Sequence, residues 1–182
     1  EVNWISAEIG SHVSAANYAS LLEGIASQSN LHSIYIGDGE RKMDLEYNMI
    51  HKAPRSVSYI ETKGVLKDKT TKVFRGNLDF RRGSKHAKGV EEEFVILLDP
   101  TVKSDSIPAL LAKEDDVEGD HAVTAGQLDE SKLFYLMSRG LDEQAAKKLI
   151  VESSFWPIIE KIPSTSLRQL VTEEVERRLI NG

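Results

Sequence analysis

Short segments rich in β-branched and aromatic residues fill the first two thirds of the chain and predict a β domain. Gly, Asp, Asn, Ser or Lys closes each segment, which is typical of strands bounded by turns. No helical period of the kind that βαβ units need lies between them, which disfavours a doubly wound α/β fold and leaves a sandwich or a β-solenoid. The predicted strands are residues 32–37, 42–50, 56–66, 71–80, 92–99 and 107–115.

Three glycines in this region recur at nearly regular intervals. Gly64, Gly76 and Gly89 would suit a solenoid whose coils turn corners at similar places. No strict repeat motif accompanies them. The pattern therefore favours a solenoid over a sandwich without excluding the sandwich.

The hydrophobic period becomes helical after Gly126, which divides the chain into a β core at 1–126 and a helical segment at 127–182. Asp129 is placed to cap the first helix at its N-terminus. That helix should end at Gly140, because glycine readily adopts the left-handed conformation that follows a helix.

Two further amphipathic helices are predicted to complete the segment. Asp142 can cap the second, and Pro157 should kink or break it because proline lacks the backbone donor. Ser164 can cap the third. In the third helix one face is apolar and the opposite face is charged, with Leu167, Val171, Val175 and Leu179 on the first and Arg168, Glu174 and Arg178 pointing outward.

The apolar faces of these helices need a surface to pack against. One interpretation is that the helices pack on each other and cap the β domain. The other is that part of the apolar surface binds a partner protein, with Phe155 and Trp156 as exposed anchors, since aromatic residues contribute strongly to interfaces.

Composition and charge exclude several classes of protein. The net charge of −6 argues against nucleic-acid binding, and a chain without cysteine has no disulfide, zinc-thiolate site or thiol nucleophile. No apolar run approaches the roughly 20 residues that span a bilayer, and no signal peptide is visible, so we expect a soluble, cytoplasmic protein without a membrane partner. Because the chain starts at Glu1 within an alternating segment, we expect it to be a piece of a longer protein.

The residues that could carry chemistry form no local motif. The five histidines are scattered, without the spacing of a metal-binding motif. The run Glu91 to Glu93 precedes an apolar strand and is interpreted as a solvated strand end. Paired carboxylates on a β-helix can also cleave polysaccharides, but sequence spacing does not fix their separation in space.

Two longer stretches resemble a known family. Residues 48–76 (NMIHKAPRSVSYIETKGVLKD…VFRG) and 114–150 (EDDVEGDHAVTAGQLDESKLFYLMSRGLDEQAAKKLI) resemble the SufB/SufD core family, the scaffold subunits of SUF iron–sulfur cluster assembly. The resemblance runs from about residue 30 to the C-terminus. It implies a right-handed parallel β-helix followed by a C-terminal α-helical segment, and a non-catalytic scaffold. Full-length members also have an N-terminal helical region, which we do not expect in this chain.

The resemblance also implies partners and a cargo. A SufB-like subunit would pair through the β-helix, and the SufC ATPase would dock on the C-terminal helices. Because the edge of a solenoid exposes unpaired backbone groups that another chain can extend, we also expect the isolated chain to form a homodimer. The complex would hold a transient iron–sulfur cluster shared with SufB. Whether a reduced flavin also binds the complex stays open.

The chain resembles SufD more than SufB. SufB members have a cysteine on the late β-helix, and this chain has no thiol in the corresponding residues 99–108. Where SufD members often have Cys-Ser-His, this chain has Gly119, Asp120 and His121. The resemblance places His121 at the SufB–SufD interface, where imidazole could ligate iron, carry protons or only form a hydrogen bond. A polysaccharide-active β-helix enzyme and a structural solenoid are the alternatives.

Overall fold

The computed structural model describes residues 1–180. Over this range the chain forms strands and then helices. The strands are β1 (Val2–Glu8), β2 (Val13–Leu22), β3 (Gln28–Gly37), β4 (Lys42–His51), β5 (Val57–Leu66), β6 (Thr71–Phe80), β7 (Ala87–Leu97), β8 (Lys103–Ser106), β9 (Ala109–Ala112) and β10 (Val117–Gln127). The helices are α1 (Glu130–Ser138), α2 (Glu143–Ile159) and α3 (Thr165–Ile180).

The strands form two parallel sheets. One has the order β1-β3-β5-β7-β10, and the other has β2-β4-β6-β8 with β9 also paired to β6. The chain therefore alternates between the sheets and advances by one strand position per coil, as in a β-solenoid. Side-chain hydrogen bonds join neighbouring coils. Asn77 donates to Asn48, its register partner 29 residues earlier, and Asn48 donates to Asn17, which lies 31 residues earlier and two positions away from the register partner of Asn48. The prediction of a β-solenoid is confirmed, and the sandwich is excluded.

The core lies between the two sheets. Along β5 and β6 the residues alternate in burial, and the buried row of these strands points to the opposite sheet. The largest side chains in this row are aromatic, including Tyr47 and Phe74, whose rings meet edge to face with centroids 5.4 Å apart. Aliphatic side chains such as Leu45 and Ile60 fill the space around them. This packing holds the coils in register.

The regularly spaced glycines do not turn corners, so that prediction is wrong. Gly64, Gly76 and Gly89 lie inside strands, where large side chains from other strands cross them. A Cβ at Gly64 would lie 2.0 Å from Cζ of Tyr35, for example. The corners use other residues with positive φ, among them Arg55 at 57°, Asp68 at 59° and Gly39 at 62°.

The helix ends follow the predicted caps. Asp129 accepts hydrogen bonds from the backbone of Ser131 and Lys132, and Gly140 has a φ of 98° after α1. The side chain of Asp142 accepts a bond of 2.7 Å from the backbone N–H of Ala145. These contacts satisfy backbone donors that the first turn of a helix leaves without partners.

Pro157 does not break α2, which continues through it to Ile159. Pro157 lies in the last turn, so its missing donor removes a single hydrogen bond near the helix end. The next turn closes normally, because the N–H of Glu160 donates to the carbonyl of Trp156 at 2.9 Å. The second helix is therefore one element rather than two.

The helices cover the outer face of one sheet rather than the end of the solenoid. Ile34, Ile36, Val65 and Ile96 point outward from β3, β5 and β7 and form one buried cluster with α2 and α3. Val171 and Val175 of the predicted apolar stripe belong to this cluster, while Leu167 is 48% exposed.

An ion pair also ties α3 to the solenoid. Arg178, predicted to point outward, donates to Asp38 at the end of β3 at 3.1 Å. Arg41 donates to the same carboxylate at 2.7 Å. Burial opposes ionisation of Asp38, but these hydrogen bonds outweigh it and lower its pKa. Within residues 1–180, no helix is long and apolar enough to span a membrane.

Candidate functional site

His121 lies on β10, the last strand of its sheet. The sequence pattern did not predict this strand, because small residues such as Gly119, Ala122 and Ala125 take the place of the usual apolar alternation. β10 pairs in parallel with β7, and His121 is aligned with Glu91. The imidazole is exposed because this coil ends the sheet.

The glutamates of β7 are not a solvated strand end, so that prediction is wrong. Glu91 is 0% exposed and Glu93 is 2% exposed. Glu92 between them points outward and accepts a hydrogen bond of 2.5 Å from the hydroxyl of Tyr59. The alternation of the strand places the first and third glutamates inside the solenoid, and a sequence window cannot show this without knowing which face is buried.

Glu93 is held by a buried polar network. Lys72 reaches across from β6 to form an ion pair of 2.7 Å with Oε1 of Glu93. The hydroxyl of Tyr35 donates to the same oxygen at 2.8 Å, and Ser106 donates to the other oxygen. Burial raises the pKa of Tyr35 well above its usual value, and the charge of Glu93 raises it further. The network therefore satisfies both carboxylate oxygens.

The ammonium of Lys72 uses all three of its donors. They go to Glu93 at 2.7 Å, to the backbone carbonyl of Asp105 at 3.2 Å and to the hydroxyl of Ser106 at 2.9 Å. Burial lowers the pKa of Lys72, and the charge of Glu93 acts against this effect. The lysine thus has no donor left for a second carboxyl group.

Glu91 is that second carboxyl group. Among the described residues, neither of its oxygens has a hydrogen-bond partner, although both are buried. Burial raises its pKa to about 7, and the charge of Glu93 contributes. The side chain lies over Gly76, where a Cβ would come within 2.6 Å of its Cγ. Gly76 thus provides the space that this carboxyl group occupies.

Three other histidines contact neighbouring side chains, and one of them, His86, lies 3.0 Å from the exposed Asp116 just before β10. His51 is buried between the hydroxyls of Ser56 and Ser58, and burial lowers its pKa to about 4. His32 contacts Glu61 at 2.8 Å on the outer face. In the part of the chain that the structure describes, no group of three or more His, Asp or Glu residues is arranged to hold a metal ion.

The helical segment presents a second candidate surface. The prediction that Phe155 is an exposed anchor is wrong, because its ring is 0% exposed in the cluster beneath α2. Trp156 next to it is 49% exposed. Phe134 and Tyr135 on α1, which no sequence pattern singled out, are 75% and 56% exposed.

A cleft of about 1030 Å³ separates α1 and α2 from the ends of β7 and β10. Its lining is mainly apolar and includes Phe94, Ile96, Tyr135, Leu136 and Leu149. Apolar surface that is shared between two packed elements and remains accessible is typical of protein interaction sites. The exposed face of α1 and α2, which includes this cleft and Trp156, and the β10 end of the solenoid are therefore the two candidate functional regions.

Comparisons with known proteins place these features in one family. The protein-family model described as "SUF system FeS cluster assembly, SufBD core domain" matches residues 1–154. This match includes β1 and β2, which precede the resemblance seen in the sequence.

Curated relatives agree with the family model. The iron–sulfur cluster assembly protein SufD of Bacillus subtilis is 29% identical over 87% of this chain and 36% of its own length. An iron–sulfur cluster assembly SufBD family protein of Staphylococcus saprophyticus is 30% identical over 96% of this chain and 38% of its own length. One from Mycobacterium tuberculosis is 29% identical over 96% of this chain and 21% of its own length. The chain thus spans less than two fifths of the length of each of these relatives.

Proposed function

Because the chain belongs to the SufBD core family of SUF iron–sulfur cluster assembly proteins, we propose that it is a SufD-like scaffold subunit. In this function the chain carries out no reaction itself, and a SufC-type ATPase partner hydrolyses ATP. The observation that carries the proposal is the family match over residues 1–154. The SufD-like assignment also uses the lack of cysteine and the position of His121 on the terminal strand of the solenoid.

Pairing with a SufB-like subunit would use the β10 end. A strand at the end of a sheet presents backbone groups that a second chain can extend. A partner strand added there would lie next to His121. In the absence of SufB, a second copy of this chain can occupy the same edge, giving a two-fold homodimer. Light scattering of the isolated chain at tens of micromolar should give the mass of a dimer, and a monomer at that concentration would exclude homodimer formation.

His121 would act on the iron that the complex assembles into clusters. A neutral imidazole binds iron and, as an exposed group on the last strand, can share a metal ion with ligands from a partner. In this proposal the cluster is cargo, transiently shared with the SufB-like subunit. A cytoplasmic location and any flavin in the complex are part of the same proposal.

Reconstitution of the complex tests the role of His121. The chain is purified with the SufB-like subunit and the ATPase of the same organism, and bound iron and sulfide are measured after anaerobic assembly. His121→Ala should leave complex formation near normal and reduce cluster content strongly, whereas Asp120→Asn and Glu118→Gln should have smaller effects. His12→Ala removes an exposed histidine at the opposite end of the solenoid and is the matched control. Wild-type cluster content in His121→Ala would contradict the assignment.

The ATPase would dock on the helical surface that contains Trp156. Truncating a half-buried aromatic anchor typically weakens an interface by about 1 to 3 kcal/mol, so Trp156→Ala should weaken ATPase binding by that amount in calorimetry. Ile25→Ala, which truncates an apolar side chain that is 66% exposed on the solenoid, should leave binding unchanged. Equal binding of Trp156→Ala and wild type would place the ATPase elsewhere.

A further inference from the structure

Glu91 combines full burial with the lack of a partner. Its side chain is 0% exposed, and no described residue forms a hydrogen bond with either carboxyl oxygen. An unpaired buried carboxyl group is costly, because a buried polar group without a partner loses its interactions with water. The nearby cation cannot supply the missing interaction, since the three donors of Lys72 are directed at Glu93, Asp105 and Ser106. A buried carboxyl group without a partner suggests that it binds a group that the protein itself does not supply.

The position of Glu91 indicates which ligand would fit. It is aligned with His121 on the neighbouring strand, and aligned residues of parallel strands point to the same side of the sheet. Neighbouring strands lie roughly 4.8 Å apart. A metal ion that binds the imidazole of His121 and the carboxylate of Glu91, with bonds of about 2.0 to 2.2 Å, can bridge the two strands once these side chains converge. Gly76 leaves room for the carboxyl group on the opposite sheet.

We infer that Glu91 is a second protein ligand, beside His121, for a divalent transition-metal ion at the β10 end of the solenoid. This inference rests on the proposed function, in which the metal ion is the ferrous iron used for cluster assembly. One imidazole nitrogen and one carboxylate oxygen suit ferrous iron. They also leave coordination positions for ligands from a partner.

Cobalt binding to the isolated 182-residue chain tests the inference without the SufB-like subunit or the ATPase. Co²⁺ is the probe, because its visible absorption reports its ligands directly. We expect one Co²⁺ per chain, with a dissociation constant that rises about tenfold or more in both Glu91→Gln and His121→Ala. Glu92→Gln is the matched control, since it neutralises the adjacent carboxylate on the outer face and should bind Co²⁺ like wild type.

A measurement on the wild-type chain removes any dependence on how the variants fold. The infrared difference spectrum with and without Co²⁺ should show a change in a carboxyl band, as expected when a carboxyl group becomes a ligand. Absence of stoichiometric Co²⁺ binding, absence of the band change, or wild-type affinity in a folded Glu91→Gln variant would each overturn the inference. Circular dichroism establishes that each variant is folded.

Cluster assembly separates failure of this inference from failure of the proposed function. If the reconstituted complex loses clusters with His121→Ala but assembles them at the wild-type level with Glu91→Gln, the scaffold function stands and Glu91 is not a ligand of the cargo. If both variants assemble clusters at the wild-type level, His121 and Glu91 both lose their proposed roles. If both variants lose clusters and both bind Co²⁺ weakly, the two-ligand site is supported.

Discussion

Replacing Lys72 with Met removes the cation of a buried ion pair and keeps most of the side-chain volume. Lys72 Nζ lies 2.7 Å from Oε1 of Glu93, and neither side chain is exposed to solvent. The variant leaves Glu93 and Glu91 as two carboxyl groups inside the solenoid without a compensating charge. It also removes a donor to the backbone carbonyl of Asp105 and to the hydroxyl of Ser106.

The expected loss is a large fraction of the stability of a single domain. Removing one partner of a buried pair destabilises a protein by about 3 to 5 kcal/mol, because the remaining charge stays buried. A typical domain is stable by about 5 to 15 kcal/mol. The double variant Lys72→Met/Glu93→Gln removes both charges and should recover about 2 kcal/mol or more of that loss.

Urea denaturation followed by tryptophan fluorescence gives the free energy of unfolding for each variant. Lys52→Met is the matched control: it removes a lysine that pairs with Glu23 at 2.8 Å, but these side chains are 36% and 61% exposed. The control should lose less than about 1 kcal/mol. If Lys72→Met loses no more than the control, or if the double variant shows no recovery, the ion pair does not stabilise the solenoid core.

Three further substitutions test the electrostatics and packing. The pKa of Glu91 is raised to about 7 in the folded protein, so wild-type stability should fall as pH rises from about 4 to 7. Measured with chelator present, Glu91→Gln should gain about 2 kcal/mol relative to wild type between pH 5 and 8. Gly64→Ala should lower the melting temperature by several degrees or prevent folding, because its Cβ would lie 2.0 Å from a ring carbon of Tyr35; an unchanged melting temperature would show that the ring can move aside. Asp38→Asn should increase hydrogen exchange in α3, because it removes the charge that holds Arg178, and equal exchange in the variant and the wild type would contradict this anchoring role. Since the pKa of Asp38 is lowered in the folded state, the anchor should also weaken in the wild-type protein as pH falls through that pKa.

Local patterns were sufficient for the elements with a clear signal. The predicted strand at 71–80 coincides with β6, and 42–50 differs from β4 by one residue. The caps at Asp129 and Asp142 were also correct. A cap or an alternating strand depends on a few neighbouring residues, so a sequence window contains the information that fixes it. The family resemblance similarly depended on contiguous motifs, and the family model bears it out.

The features of the β10 end depended on contacts between distant residues. Burial of Glu91 requires the opposite sheet, including Gly76, and the network of Glu93 requires Lys72 and Tyr35 from other coils. A run of three glutamates has the same local sequence whether it faces water or a sheet about 10 Å away. Only pairing of the coils decides which of the three lies inside.

The same reason separates Phe155 from Trp156. The two residues are adjacent in sequence and both are large aromatics, so the chain by itself determined only that a helix there carries apolar surface. Successive positions on a helix point about 100° apart, and the docking of α2 on Ile34 and Ile36 decided that Phe155 is buried and Trp156 is half exposed. Sequence thus determined the family, the helix caps and the elements with a clear alternating or helical pattern. Pairing with β7 defined β10, and long-range packing between the helices and the solenoid decided which faces are buried.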